Sequence, residues 1–378
     1  MDQGLRTSPN RKNLMSTLFH RLMNSAARLT RSGNLQAATA AIQAALRGGV
    51  PAAATSTERR DVIDVIDVID VEAREVPDFA REFDDEAPAA PAGSVPDAGQ
   101  FIAGRHGNAS GHRDFKLYIP PGAGERPLPL VVMLHGCTQN PDDFAAGTAM
   151  NDAALAQGFF VLYPAQSRLM NPHRCWNWFK HNHQARGRGE PALLAGMTRE
   201  VMARHAIDPD RVYVAGLSAG GAMAAILGDA YPDLYAAVGV HSGLAAGIAT
   251  DLPSALGAMK GGGSNARADA SGVATIVFHG DADSTVHPSN GEQVITASVG
   301  TATTVEVEHL NGAGGRATTR SLHRASDGAV VAEHWLVHGA PHAWSGGSAE
   351  GSYTDADGPD ASAEMMRFFL EHPRRQAN

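Results

Sequence analysis

The chain of 378 residues has only two cysteines, Cys137 and Cys175, which excludes a framework of several disulfides. The pair leaves two alternatives open, a single bridge or two reduced thiols. The sequence also has no apolar run of the roughly 18–20 residues that cross a bilayer, so we expect no membrane span. No secretion signal is recognisable, because polar residues interrupt the apolar stretch at 14–22, and this favours a cytoplasmic location.

A basic face that would recruit nucleic acid is not evident either, since the net charge is −9. The charge is unevenly distributed along the chain. Residues 51–100 contain 13 acidic residues and 4 arginines, whereas residues 1–50 are basic. With 43% apolar and 19% charged residues, the composition is ordinary for a soluble enzyme. The charge therefore indicates solubility and favours no particular partner.

Three segments of different composition follow one another. Residues 1–50 are predicted to form a helical hairpin, because apolar residues recur at helical spacing on both sides of a Ser-Gly-Asn break. Residues 51–100 are predicted to be a disordered, acidic linker rich in alanine and proline. Residues 101–378 are predicted to be the catalytic domain. A sharper alternative for residues 13–47 is contact with the surface of a hydrophobic polymer.

From about residue 101, short apolar runs alternate with helical stretches, which is typical of a mainly parallel sheet covered by helices on both faces. Strands are predicted at 130–134, 159–163, 212–215, 236–240, 275–279 and 333–337. Helices are predicted at 143–157, 191–205, 219–231, 289–299 and 360–372. Residues 303–338 also predict antiparallel strands that turn at Ser326-Asp327-Gly328. The pattern therefore predicts one α/β domain.

The motif Gly216-Leu217-Ser218-Ala219-Gly220 lies between a predicted buried strand and an alanine-rich predicted helix. A sharp turn at this junction strains the backbone of the serine, so the residues two positions away on each side must be very small. Such a turn presents the hydroxyl near a helix N terminus, which favours negative charge. We therefore predict that Ser218 is a catalytic nucleophile. A plain strand-to-helix turn is the alternative.

A serine hydroxyl needs a base to remove its proton, and in this arrangement an acid and then a histidine follow the serine along the chain. The loop after the strand at 275–279 offers Asp281 and Asp283. We predict Asp283 as the acid, because it lies further past the strand and has room to bend toward the histidine. Asp281 is expected to brace the turn.

The loop after the strand at 333–337 offers two candidates for the base, His338 and His342. His338 still belongs to the end of the strand, where a histidine is usually packed. His342 lies beyond Gly339 and Pro341, in a loop free enough to reach the serine. We predict His342 as the base.

Ester hydrolysis also needs two backbone amides that donate hydrogen bonds to the oxyanion of the transition state. One is expected from Ala219, the residue after the nucleophile. The other is expected from the loop after the first parallel strand, where Gly136 permits close approach of the backbone and Cys137 would donate.

Four segments closely resemble the poly(3-hydroxybutyrate) depolymerase family of esterases, which includes feruloyl and acetylxylan esterases. They are Leu134-His135-Gly136-Cys137-Thr138-Gln139, Cys175-Trp176-Asn177-Trp178-Phe179, Gly216-Leu217-Ser218-Ala219-Gly220-Gly221 and His342-Ala343-Trp344-Ser345-Gly346-Gly347. The resemblance covers about residues 113–372 and implies an α/β-hydrolase fold. It also implies a triad of Ser218, Asp283 and His342, and an active-site rim that carries Trp176 and Trp178. Many members are secreted, whereas this chain shows no secretion signal.

Two further groups of residues have two interpretations each. Trp176, Trp178 and Trp344 are candidates for binding substrate, or else they fill the core. A histidine cluster at 173, 181 and 183 lacks the spacing of a recognisable metal site, so solvated loop histidines are favoured. No metal and no organic cofactor are predicted.

These observations predict a serine esterase that acts through an acyl-enzyme. Polyhydroxybutyrate or hydroxyalkanoate oligomers are the favoured substrates, and aryl or acetyl esters of polysaccharides are the alternative. A peptidase or acyltransferase with the same triad is a rival. From a different class, a non-catalytic protein that binds polymers or granules through residues 13–47 is another.

Overall fold

The computed structural model describes residues 98–261, 263, 270–300, 304–311 and 315–374. The chain divides into two units, Met1–Ala89 and Ala90–Asn378. All described residues belong to the second unit. The predicted helical hairpin at 1–50, and all but the last three residues of the predicted linker at 51–100, lie outside the described residues.

The described part of the second unit is built on a ten-stranded sheet with the order β1-β2-β4-β3-β5-β6-β7-β10-β9-β8. Its strands are β1 (Gln100–Asn108), β2 (Gly111–Ile119), β3 (Leu128–Leu134), β4 (Phe160–Pro164), β5 (Ile207–Leu217), β6 (Ala237–His241), β7 (Ala274–Gly280), β8 (Thr304–Leu310), β9 (Thr318–Arg324) and β10 (Val330–Val337). The six central strands, from β4 to β10 in this order, are parallel. Antiparallel strands flank them, β1 and β2 at one edge and β8 and β9 at the other. A short parallel pair, β11 (Trp344–Ser345) and β12 (Thr354–Asp355), forms a separate small sheet.

Helices cover both faces of the sheet. They are α1 (Pro141–Thr148), α2 (Met150–Gln157), α3 (Gly189–Arg204), α4 (Ala219–Ala230), α5 (Leu252–Met259), α6 (Ser289–Val299) and α7 (Ala361–Glu371), with a 3₁₀ turn at His181–His183. Buried residues of α3, α4, α5 and α6 belong to one apolar cluster, and those of α1, α2 and α7 to a second. Every residue of β3 is buried, as expected for a parallel strand covered on both faces.

The six predicted parallel strands are confirmed, with shifts of a few residues at their ends. The predicted antiparallel strands at 303–338 are also confirmed. The helix predicted at 143–157 is divided into α1 and α2, because Ala149 adopts a left-handed conformation with φ of 50°. The β1–β2 hairpin and α5 were not predicted. β1 alternates only weakly between buried and exposed residues, and α5 has just eight residues, so neither gives a clear periodic signal.

The topology places the carboxyl ends of the parallel strands at one edge of the sheet, where sites of α/β proteins form. The loops after β3, β5, β7 and β10 all begin at this edge. None of the helices in the described residues has both the length and the apolar character needed to cross a membrane.

Candidate active site

The strand-to-helix turn at Ser218 has the strained geometry that the motif predicts. Ser218 has φ of 57° and ψ of −118° and is partly exposed, although its two neighbours are buried. A Cβ atom on Gly216 would lie 2.6 Å from the carbonyl oxygen of Leu134, and one on Gly220 would overlap the same oxygen. Both positions therefore require glycine, because the turn packs directly against the end of β3.

Ala219, one of the two predicted oxyanion donors, is the first residue of α4. Amide groups in the first turn of a helix have no partner within the helix, and the helix dipole places partial positive charge there. The amide of Ala219 is therefore suited to stabilise negative charge that develops next to Ser218.

Asp283 and His342, the predicted acid and base, are brought together. Nδ1 of His342 lies 2.7 Å from Oδ2 of Asp283, whose side chain has no exposed surface. The other carboxylate oxygen accepts hydrogen bonds from the amides of Thr285 and Val286, both at 2.8 Å. The carboxylate is thus held from both oxygens, and it orients the ring of His342.

Opposing effects act on the pKa of Asp283. Burial alone would raise this pKa, but hydrogen bonds from His279, from His342 and from the amide of Val286 outweigh burial. The pKa is therefore held well below its ordinary value. Asp283 is a carboxylate throughout the neutral range, as an orienting acid must be.

The two residues not favoured by the sequence, Asp281 and His338, form a second pair. Nδ1 of His338 lies 2.8 Å from Oδ2 of Asp281, and Nε2 of the same ring lies 2.9 Å from the hydroxyl of Thr319. Their side chains are 38% and 41% exposed, respectively. Asp281 also accepts from the amide of Gly339, so it braces the turn as predicted. Both ring nitrogens of His338 are engaged at the surface, away from the buried pair.

The loop after β3, which we call the oxyanion loop (residues 135–139), is closely held. The amide of Gly136 donates to the side chain of Gln139 at 2.9 Å, and the amide of Thr138 donates to the carbonyl of His173 at 2.6 Å. The amide of Cys137, the other predicted donor, lies between these two. Of the two alternatives for the cysteines, the structure has the bridge, between Cys137 and Cys175 with Cα atoms 4.2 Å apart.

His241, which the sequence did not single out, connects the turn at Ser218 to Ser345, three positions after His342. The amide of Ser218 donates to the carbonyl of His241 at 2.8 Å, and Nε2 of His241 accepts from the amide of Ser345 at 2.9 Å. Among the described residues, no hydrogen bond joins the Ser218 hydroxyl to His342. Such contacts often tighten only when substrate binds. Burial lowers the pKa of His241 to about 3, so the ring is neutral.

The three candidate substrate-binding tryptophans lie in the interior, which favours the alternative that they fill the core over an active-site rim that carries Trp176 and Trp178. Trp176, Trp178 and Trp344 are 0%, 5% and 1% exposed. The indole nitrogen of Trp176 donates to the carbonyl of His135, and that of Trp344 donates to Ser362. A side chain enclosed in this way offers no surface to a substrate. Their role in this structure is to pack the core and support the loops.

Glu190 anchors the segment that carries Trp176. This buried glutamate accepts hydrogen bonds from the amide of Asn177 at 2.7 Å and from its side chain at 2.8 Å, and it pairs with Arg113 at 3.2 Å. Burial would raise its pKa, but hydrogen bonds from His183, Gln166 and the amide of Asn177 hold the pKa below its ordinary value. No sequence pattern points to Glu190, because its position at the start of α3 resembles an exposed helix terminus.

The histidines at 173, 181 and 183 are not gathered into one cluster. His183 lies beside Glu190, whereas His173 and His181 are exposed. Within the described ranges there is no group of three or more histidine, cysteine, aspartate or glutamate side chains that could hold a metal ion.

The model of the family described as Esterase PHB depolymerase matches residues 113–320. The chain belongs to this family. Over 254 residues it is 32% identical to poly(3-hydroxyalkanoate) depolymerase C of Paucimonas lemoignei, and the alignment covers 62% of this chain and 59% of that protein. Over 140 residues it is 33% identical to feruloyl esterase B of Thermothelomyces thermophilus, covering 37% of this chain and 47% of the relative. The chain thus spans about half to three-fifths of the length of these relatives.

Among solved structures, the acetyl xylan esterase from Aspergillus awamori superposes with a TM-score of 0.52 at 18% identity. The superposition covers 68% of this chain and 94% of that structure. This likeness confirms the predicted α/β-hydrolase fold.

Proposed function

We propose that the chain is a serine esterase that hydrolyses carboxylic esters through an acyl-enzyme. The observation that carries the proposal is the strained backbone of Ser218. The turn around it requires glycine at Gly216 and Gly220, because a Cβ atom at either position would be too close to neighbouring backbone atoms. Strain of this kind persists where the surrounding structure enforces it, and it is characteristic of turns that present a nucleophile. Membership of an esterase family and the buried pair of Asp283 and His342 support the same reaction.

In the proposed mechanism His342 removes the hydroxyl proton of Ser218 as its oxygen attacks the ester carbonyl carbon. The amides of Cys137 and Ala219 donate to the resulting oxyanion, and each contributes about 3 kcal/mol of transition-state stabilisation. The alcohol leaves with the proton that His342 returns to it. Water, activated by the same ring, then releases the acid and restores Ser218. Apart from the ester and water, the mechanism uses only groups of this chain.

For the substrate we propose a hydroxyalkanoate oligomer or polyester. Two relatives are named as depolymerases of poly(3-hydroxyalkanoate) and poly(3-hydroxybutyrate), the latter from Ralstonia pickettii and 28% identical over 271 residues. The alternative, an ester on a polysaccharide, is supported by the feruloyl and acetylxylan esterases among the relatives.

An exposed apolar loop tip favours an insoluble polyester over a soluble ester. Leu169 is 94% exposed and Met170 is 48% exposed. The amides of Met170 and Asn171 both donate to the carbonyl of Ser167, which keeps the tip compact. The disulfide joins the segment after this tip to the oxyanion loop. An exposed apolar tip that is tied through the disulfide to the oxyanion loop can bury its surface against a solid polymer, and the hydrophobic effect would favour that contact.

The test compares the full chain with Ser218→Ala on three substrates: a polyhydroxybutyrate suspension, a feruloyl ester and a short nitrophenyl ester. We expect soluble hydroxyacids from the suspension and turnover of the nitrophenyl ester, and no turnover by the variant. A native chain that hydrolyses none of them faster than the variant would contradict the catalytic proposal. Cleavage of amides in place of esters would favour the peptidase alternative.

The polymer preference is tested with Leu169→Ser/Met170→Ser. We expect slower release from the suspension and unchanged turnover of the nitrophenyl ester. Leu155→Ser is the matched control, because Leu155 is an exposed leucine (42%) of α2. Equal losses on the two substrates, or an equal loss in the control, would count against a polymer-docking tip.

We also propose that residues 101–378 carry the activity and that the preceding residues do not. Removing residues 1–98 should leave turnover of the nitrophenyl ester intact. Loss of this activity on deletion would support the rival, a polymer-binding protein whose active part lies at 13–47.

A further inference from the structure

A fully buried histidine lies directly behind the proposed catalytic acid. His279, near the end of β7, has no exposed side-chain surface. Its Nε2 lies 2.8 Å from the carbonyl oxygen of Val286 and 3.4 Å from Oδ2 of Asp283. Oδ2 is the same oxygen that accepts from His342 at 2.7 Å.

The two oxygens around Nε2 of His279 fix which nitrogen carries the proton. A backbone carbonyl and a carboxylate can only accept, so Nε2 must donate. The hydrogen bond to Val286 is short, and the longer approach to Asp283 adds electrostatic attraction. The amide of Val286 donates to the other oxygen of Asp283, so the two residues form a turn. His279 contacts both ends of this turn, the carbonyl of Val286 and the carboxylate of Asp283.

The other ring nitrogen of His279, Nδ1, makes no stabilising hydrogen bond within the described ranges. Nδ1 is buried, and it has no hydrogen-bond partner in the part of the chain that the structure describes. A buried polar atom without a partner destabilises a fold, whereas an apolar side chain of similar size would avoid that cost. The presence of histidine is therefore explained by what Nε2 does for Asp283.

We propose that His279 is a positioning residue, which holds the carboxylate of Asp283 at the angle that aligns His342. This inference rests on the proposed esterase function, since it assigns a role toward the same acid and base. His279 touches neither substrate nor Ser218. It acts only through the carboxylate and the turn that carries it.

A second buried histidine supplies the matched control. His334 lies on β10, the neighbour of β7, and its Nε2 is also buried without a partner among the described residues. Both rings face Gly291 of α6, where a Cβ atom would lie 2.6 Å from Nε2 of His334 and 3.4 Å from Nδ1 of His279. The two histidines thus share burial, an unpartnered nitrogen and a neighbouring helix. Of the two, only His279 approaches Asp283.

The test measures kcat and KM of the full chain and of four variants on a soluble nitrophenyl ester. His279→Leu removes the donor, and we expect kcat to fall about 10- to 100-fold with KM nearly unchanged, because misplacing a catalytic group slows the chemical step. His279→Gln keeps an amide donor near the position of Nε2 and should restore most of kcat. His279→Asn, whose amide is too short to reach Val286, should not. His334→Leu should resemble the native chain.

A second readout does not require activity. The ring proton between His342 and Asp283 is expected as a downfield proton resonance, identified by its loss in His342→Ala. It should shift or broaden in His279→Leu and stay unchanged in His334→Leu. If the native chain lacks esterase activity, this resonance still tests the positioning role, so the failure of one proposal is distinguishable from the failure of the other.

Where His279→Leu folds, two results would overturn the inference. One is an unchanged kcat and an unchanged resonance in folded His279→Leu. The other is an equal loss of kcat in His334→Leu, which would show that filling this part of the core, and not contact with Asp283, is what matters. If His279→Leu does not fold, His279→Gln and His279→Asn test the positioning role in its place. Equal kcat values in these two variants would also overturn the inference.

Discussion

Nδ1 of His342 lies 2.7 Å from Oδ2 of Asp283, and this carboxylate has no exposed surface. A few residues away, His338 and Asp281 form a pair of nearly the same length, 2.8 Å, at the surface. The distances alone do not separate the two pairs. Burial of the carboxylate and the engagement of the second ring nitrogen do separate them. Nε2 of His338 already contacts the hydroxyl of Thr319, whereas among the described residues no hydrogen bond engages Nε2 of His342.

The two pairs therefore predict opposite outcomes for matched substitutions. Asp283→Asn should lower kcat on a soluble ester by about 10³- to 10⁴-fold, because the ring of His342 loses both its orientation and the charge that stabilises it. Asp281→Asn removes a surface carboxylate that contacts His338 at nearly the same distance. This variant should keep kcat within about 3-fold of the native value. Steady-state kinetics of the two variants measure this. A larger loss in Asp281→Asn than in Asp283→Asn would reverse the assignment of the acid.

The glycines of the turn predict a backbone effect. Gly220→Ala should prevent the turn from closing, because the added Cβ would overlap the carbonyl oxygen of Leu134. We expect a loss of activity together with a lower midpoint of thermal unfolding, measured by calorimetry. Gly257→Ala is the control, since a Cβ atom on this glycine of α5 meets no atom within 4 Å. There alanine should be neutral or slightly stabilising, because it favours the helix by up to about 1 kcal/mol. Equal midpoints for the two variants would contradict the close approach.

The disulfide predicts a link between redox state and turnover. Cys137 and Cys175 are separated by 38 positions, and a bridge over such a loop typically contributes about 2–4 kcal/mol to the free energy of unfolding. Cys175→Ser should lower that free energy and also lower kcat, because the oxyanion loop loses a covalent tether. Denaturant unfolding and kinetics on a soluble ester measure the two effects. Unchanged kcat in a chain confirmed to lack the bridge would show that the hydrogen bonds of the loop suffice.

Much of the site could be predicted because its residues sit at positions that local sequence determines. Ser218 lies between a continuous apolar run and an alanine-rich stretch, which indicate a buried strand and a helix, and Asp283 and His342 also follow strands with clear apolar runs. The order of the elements then brings their loops to one edge of the sheet. His279 and His241 could not be predicted, because their contacts depend on which side chains meet across strands, and a histidine inside an apolar run gives no signal of its partner.

The tryptophans show that a residue can be found in a sequence motif while its role is not predicted. Their motifs identified the family, but motif membership does not distinguish a side chain that lines a cleft from one that supports it. Trp176 lies beneath the oxyanion loop because its indole nitrogen reaches the carbonyl of His135, a contact over 41 positions. Only the packing in the folded structure shows whether such a side chain lines a cleft or supports a loop.

The buried histidines predict a specific loss of stability in acid. Burial, together with the nearby His279 and His323, lowers the pKa of His334 to about 3 from its ordinary value of 6.5. The unfolded chain then binds more protons than the folded chain between these values, so the stability present above pH 6.5 is lost progressively as the pH falls toward 3. His334→Leu should flatten the fall in unfolding free energy across this window, whereas the exposed His112→Leu should not. Parallel curves for the native chain and His334→Leu would contradict the buried, neutral state of His334.

Covalent labelling tests whether Ser218 is the nucleophile. An alkyl phosphonate with a good leaving group should add one equivalent to the folded native chain and abolish ester turnover, and peptide mass spectrometry should place the adduct on Ser218. His342→Ala should react far more slowly, because the hydroxyl has lost its base. Labelling at another residue, or full ester turnover by a chain quantitatively modified at Ser218, would show that Ser218 is not the nucleophile.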